Sequence, residues 1–147
     1  MVYHYVESGL DNVHLENGFR LLETSHGTAV SIEDVYGLHA AIGRCLIDAA
    51  TPLTGAELCF LRIEMDLSQR ALAGLLGTTE QTLRRYEKGR GQTVPGPVDH
   101  LLRVLYAEYV GGDGSVRHMV ERLAGLEPKP RADLRLRETD RGWALAA

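Results

Sequence analysis

The segment from Leu67 to Gly89, LSQRALAGLLGTTEQTLRRYEKG, constrains this chain more than any other. Ser68 can cap a first helix in which Leu72, Ala73, Leu75 and Leu76 recur at helical spacing, and Gly77 stands where a helix ends in a left-handed turn. Thr78 and Thr79 then offer hydroxyls to cap a second helix, with Leu83 and Tyr86 turned inward. Two short helices joined by so tight a turn read as a helix-turn-helix. On the outer face of the second helix, Gln81, Arg84, Arg85 and Lys88 stand at i, i+3, i+4 and i+7, so one side of it is rich in donors. In a DNA major groove, Gln can bond adenine at N6 and N7, and Arg can bond guanine at O6 and N7. Taken alone, such a charge run equally serves to solvate the outside of a small helical bundle.

The spacing of Gln69, Ala73, Gly77, Glu87 and Gly89 around that face resembles the Xre/Cro family of phage and bacterial repressors, over roughly residues 54 to 110. The resemblance implies that Glu80, Gln81, Arg84 and Arg85 read bases, while Ser68, Gln69, Thr79, Lys88 and Arg90 hold the DNA backbone. It also implies a structural salt bridge between Arg62 and Glu87, and a homodimer on a palindromic operator in double-stranded DNA. The run Arg85-Tyr86-Glu87-Lys88-Gly89 is similar to the end of the recognition helix in MqsA-type antitoxins.

Charge is distributed in keeping with that reading. The formal net charge is −4, which argues against a general polyanion binder. Residues 1–66 carry three Arg against ten acids, for −7, whereas residues 68–103 carry six basic and three acidic side chains, for +3. Residues 104–147 balance seven against seven. Basic charge is therefore concentrated on the motif, and an acidic remainder weakens non-specific binding and leaves base contacts to choose the site.

The flanks are less regular. Val13 and Leu15, then Phe19, Leu21 and Leu22, flank Asn17-Gly18, a strong hairpin signal. Ser31, with Asp34 three residues on, is expected to start a helix whose seam is Ile32, Val35, Leu38, His39, Ile42, Leu46 and Ala49. This arrangement looks like the N-terminal half of the MqsA-type antitoxins, except that the paired zinc cysteines of those proteins are missing. Either apolar packing replaces the metal or that part of the resemblance is superficial, and no metal ligand is carried over.

Thr54 and Glu57 form a capping box for a helix with Leu58, Leu61 and Met65 inward. After the loop RGQTVPGP, a helix with Val98, Leu101, Leu102, Leu105 and Tyr106 inward is predicted to run to about Val110. A last helix, capped by Asp113 or Ser115, is expected to bury Val116, Met119, Val120 and Leu123. Beyond Pro128 and Pro130 the alternation around Asp140-Arg141-Gly142 reads either as a terminal hairpin, docked on the N-terminal strands through Leu136, Trp143 and Leu145, or as a frayed tail.

The expected fold class is mainly α. A five-helix Xre/Cro-like helix-turn-helix domain over residues 53–126 follows a β-hairpin and helix module over 1–52 and precedes the tail at 127–147.

Other chemistries find little support. Cys45 and Cys59 lack a CxxC partner and are expected to be reduced and buried. The six histidines, among them His39 on the apolar seam, show no HxxxH or HExxH spacing. The neighbouring acids Glu33 and Asp34, and Glu64 and Asp66, come without a nucleophile, a phosphate loop or an oxyanion-hole motif. No enzyme activity, cofactor or metal is therefore expected. With no signal peptide, lipidation motif or apolar run of membrane-spanning length in the sequence, the expected location is the cytoplasm. Two functions stay open: a sequence-specific DNA-binding repressor, of the autoregulating kind found as the antitoxin of a toxin-antitoxin operon, or a protein-binding module that sequesters a toxin or other partner and keeps the helix-turn-helix as scaffold.

Overall fold

The computed structural model describes residues 1–146. Strand β1 (Tyr3–His4) pairs antiparallel with β2 (His14–Leu15), and the link between them carries a single 3-10 turn at Val6–Ser8. Strands β3 (Phe19–Thr24) and β4 (Gly27–Ile32) form a hairpin in register from Phe19 opposite Ile32 to Thr24 opposite Gly27. Six helices follow among the described residues: α1 (Val35–Asp48), α2 (Gly55–Glu64), α3 (Gln69–Leu76), α4 (Glu80–Lys88), α5 (Gly96–Gly111) and α6 (Ser115–Ala124). A last hairpin joins β5 (Leu136–Thr139) to β6 (Gly142–Leu145). The architecture is mainly helical, with small hairpins at either end.

The N-terminal hairpin does not turn at Asn17-Gly18. It turns at Ser25-His26, where the Thr24 hydroxyl accepts from the His26 amide at 3.2 Å and donates to the Gly27 carbonyl at 2.6 Å. Side-chain closure of a turn by Thr is a weaker sequence signal than Asn-Gly. Gly18, at φ +78°, instead makes a corner, its carbonyl accepting from the Glu33 amide at 2.9 Å. That corner sends Leu15 into the core and Phe19 into the ribbon.

The start of α1 also moves. Ser31 is paired with Arg20 in the ribbon, so the cap falls to Asp34, whose carboxylate accepts from the Gly37 amide at 3.2 Å.

From α2 to α4 each helix start has a hydroxyl cap closing on the amide three residues ahead: Thr54 on Glu57, Ser68 on Ala71, Thr79 on Thr82. At Thr54 the Glu57 carboxylate accepts from the cap's own amide in return, completing the box. Gly77, at φ +73°, closes α3 in the left-handed conformation, with the Thr78 amide reaching back to the Ala73 carbonyl at 2.9 Å.

Leu53, Leu58, Leu61, Leu72, Leu83, Leu102 and Tyr106 are sealed from solvent, and Tyr5, Leu10, Leu15 and Ile42 from the N-terminal strands and α1 join the same core. At α1 and α5 the approach is close enough that a side-chain carbon on Gly43 would stand 2.1 Å from the Tyr106 hydroxyl. An Arg–Asp pair fastens this junction. Arg103 donates to the carbonyls of Ile47, Ala49 and Thr51 around the end of α1, while the buried Asp99 carboxylate accepts from Arg103 at 2.6 Å and from the Leu53 amide at 2.7 Å.

The C-terminal third differs from expectation. Val116 and Val120 of α6 are half-buried, but Met119 and Leu123 face solvent. The terminal hairpin turns at Asp140-Arg141, yet Trp143 is 71% exposed and is not docked on the N-terminal strands. Cys45 is exposed and Cys59 half-exposed rather than buried, both as free thiols.

Candidate nucleic-acid interface

Helix α4 is held from its inner side. Leu83 is fully buried, and beside it Glu87 lies 7% exposed with a complete set of donors. Arg62 on α2 donates to it through Nε at 2.6 Å and Nη2 at 3.0 Å, and Gln69 on α3 adds Nε2 at 3.0 Å. The same guanidinium donates through Nη1 to the Leu67 carbonyl at 2.9 Å, so one side chain ties α2, the turn after it and α4 together. Burial pushes the Glu87 carboxyl upward, but the hydrogen bonds from Arg62 and Gln69 outweigh it and hold the group below its ordinary value. For the neighbouring Cys59 thiol the balance is reversed: burial first, then the Glu87 charge, raise it, leaving a poor nucleophile.

The end of α4 meets the start of α2 backbone to backbone. Loop carbonyls at Gln92 and Arg90 accept from the Gly55 and Ala56 amides at 3.0 and 3.1 Å, two donors that a helix start otherwise leaves free. A side-chain carbon at Gly55 would fall 2.0 Å from the Tyr86 carbonyl oxygen, so only glycine allows this approach.

On the outer side, the residues that sequence reasoning nominates divide into three groups. Gln81, Arg85 and Lys88 are exposed at successive turns of α4 and make no side-chain hydrogen bond or ion pair among the described residues; Arg85 lies 5.8 Å from the centre of the Tyr86 ring. Glu80 and Arg84 are exposed but paired with each other at 2.8 Å, with Arg84 also reaching Gln69 at 3.4 Å. Exposed pairs of this kind are worth about 0–1 kcal/mol, so Arg84 can be drawn off by a competing acceptor at little cost. The third group is committed to the fold. Ser68 and Thr79 cap helices, Gln69 holds Glu87, and Arg90 donates to the Gly9 carbonyl of the N-terminal segment. Arg62 and Glu87 are joined as a mostly buried pair, their side chains 15% and 8% exposed.

The sequence by itself does not mark Asp99, Arg103 and Gly55. The i,i+4 spacing of Asp99 and Arg103 is a readable signal for a helical pair, but the carbonyls that Arg103 clamps lie more than 50 residues away. His39 accepts or donates at Tyr5 Oη, 2.8 Å away, and lies 3.5 Å from Glu64. It is a packed, bonded histidine between the N-terminal segment and α2. Among the described residues no group of three or more His, Cys, Asp or Glu is placed to hold a metal ion, and no helix is long and apolar enough to cross a membrane.

Two successive capped helices, the second locked from within and presenting free Gln, Arg and Lys outward, are the parts of a DNA-reading module. Residues 54–108 match the family model of a helix-turn-helix domain. The match begins at the Thr54 cap, ends within α5, and supports a helix-turn-helix DNA-binding regulator. The N-terminal strands, α1, α6 and the terminal hairpin lie outside it. No curated protein and no solved structure matches the chain.

Proposed function

We propose that the chain is a sequence-specific transcriptional repressor that places α4 in the major groove. Gln81 and Arg85 are the principal base readers, Arg84 joins them by releasing Glu80, and Lys88 grips phosphate at the helix border. The observation that carries the reading is the split of α4 into an inner side sealed by Leu83 and Glu87 and an outer side whose Gln81, Arg85 and Lys88 are uncommitted. Glu80, Ser68, Gln69, Thr79 and Arg90 act at the edges, as orienting and backbone-contacting groups. Of these, Gln69 and Arg90 reach DNA only by sharing or exchanging the partners they hold in the free protein.

One recognition helix covers only a few base pairs, so the repressor works as a two-fold homodimer on a palindromic operator, its half-sites about 34–36 Å apart. Such a regulator acts in the cytoplasm, where the chromosome is. The autoregulating antitoxin is the form of this function that uses the N-terminal half as well. In it the exposed β3–β4 ribbon, with Leu21 and Leu22 in solvent, is the surface offered to a toxin. That partner-binding surface is also what the alternative reading, a sequestering module without DNA binding, requires.

The test is selection from a pool of randomised duplexes. Enrichment of a two-fold symmetric motif is the expected result. Failure to enrich any sequence over the starting pool, with a folded protein, leaves the sequestering module as the better reading.

A further inference from the structure

Among the described residues, nothing covers two apolar surfaces near the C-terminus. On α6, Met119 and Leu123 stand at i and i+4, with Leu126 just past the end of the helix, and the three are 51–66% exposed, as a second stripe beside the half-buried Val116 and Val120. On the terminal hairpin, cross-strand partners share a face, so Leu136 and Leu145 stand beside Trp143 on one side of the ribbon, at 58–71% exposure. An isolated two-stranded hairpin is marginal in water, and this one needs a surface to lie on.

We propose that the hairpin is an exchanged arm, which lies across the α6 stripe of a second copy of this chain. The area fits a second copy. Covering these six side chains removes on the order of 700 Å² from each protomer, close to the roughly 800 Å² per partner of a standard interface. The connection favours a crossing over closure within one chain. Leu126–Arg135 has no regular structure, and Pro128 and Pro130 stiffen it toward an extended spacer of about 3 Å per residue, on the order of 30 Å in all. The hairpin is thereby carried away from its own α6. A two-fold axis makes the exchange reciprocal, each stripe receiving the other protomer's arm. The proposal rests on the homodimer proposed above and names its surface.

The experiment uses the full chain without DNA. Trp143 is the only tryptophan, so its emission reports the arm directly. Wild type is expected to sediment as a dimer at tens of micromolar, with Trp143 emission moving to the blue as concentration rises. Two variants separate the surfaces: Met119→Ser with Leu123→Ser on the stripe, and Leu136→Ser with Trp143→Ser on the arm. Each is expected to raise the dimer dissociation constant by at least about ten-fold with unchanged circular dichroism, since interface anchors of this kind carry most of the affinity. An equimolar mixture of the two is expected to associate more tightly than either alone, because one intact arm then meets one intact stripe. Blue emission that is independent of concentration, or a mixture no tighter than its parts, overturns the exchange. A dimer that both variants leave intact overturns the surface but leaves the two-fold repressor standing, whereas a wild type that stays monomeric at all concentrations removes both.

Discussion

The two sides of α4 carry polar groups of the same kinds but treat them differently. On the inner side, Glu87 receives three donated hydrogen bonds from Arg62 and Gln69 and is almost wholly removed from water. On the outer side, Gln81, Arg85 and Lys88 carry a similar donor capacity with no acceptor among the described residues. The difference shows how a small domain can aim flexible side chains. Orientation is fixed by a buried ion pair that spans α2 and α4, so the free donors emerge from a helix that cannot roll. A ligand meeting the outer face then has to order only the side chains, and not the helix that carries them.

Breaking the inner side is expected to have the largest effect. Glu87→Ala strands the Arg62 guanidinium inside the domain and is expected to cost about 3–5 kcal/mol of unfolding free energy, because an unpaired buried charge is left behind. Urea denaturation measures it. A loss below about 1 kcal/mol would place the pair among ordinary surface bridges and remove the fixed-helix explanation. Gly55→Ala comes next. The added carbon must push the Tyr86 carbonyl away, and a loss of about 1–3 kcal/mol is expected from overpacking.

Acid sharpens the contrast without a mutation. Glu87 and Asp99 both sit below their ordinary values of 4.5 and 3.8 in the folded chain. A depressed carboxyl contributes stability above its unfolded pKa and loses it as pH falls through the folded value. The melting temperature is therefore expected to hold from neutrality down to about pH 5 and to drop below about pH 4, and Glu87→Gln is expected to flatten that drop. An unchanged acid slope in Glu87→Gln would show that the carboxylate is not held as the hydrogen bonds indicate.

The outer side is expected to be indifferent to folding. Arg84→Ala removes an exposed pair with Glu80 and a long hydrogen bond to Gln69, and a stability change within about 0.5 kcal/mol is expected from thermal unfolding. A larger loss would mean that the outer face also serves the fold.

The helix-turn-helix was legible because its signals are local. Thr54, Ser68 and Thr79 each act on a residue three positions ahead, and Gly77 marks its own turn. What stayed hidden depends on distant partners. The partner that Arg90 holds in the free protein, the Gly9 carbonyl, lies 81 residues away in sequence. Met119 and Leu123 have helical spacing that shows they share a side with each other, but spacing alone does not say which of two adjacent stripes the core will cover. The place of the ribbon turn is hidden for a related reason. Asn17-Gly18 has the local chemistry of a hairpin, yet Tyr3 claims Leu15 as its strand partner and leaves the corner to connect two separate pairs.

Base reading by the outer face of α4, as proposed, stands or falls at Arg85. Wild type and Arg85→Ala are to be titrated against the selected duplex and a scrambled one at several salt concentrations, with Lys88→Ala as the control for backbone contact. Arg85→Ala is expected to cost about 1–3 kcal/mol on the selected site and relax preference at one base pair, with a smaller change on scrambled DNA. Lys88→Ala is expected to weaken both duplexes alike and reduce the salt slope by about one unit. An Arg85→Ala protein that is folded and binds the selected duplex with wild-type affinity and base preference would contradict the claim.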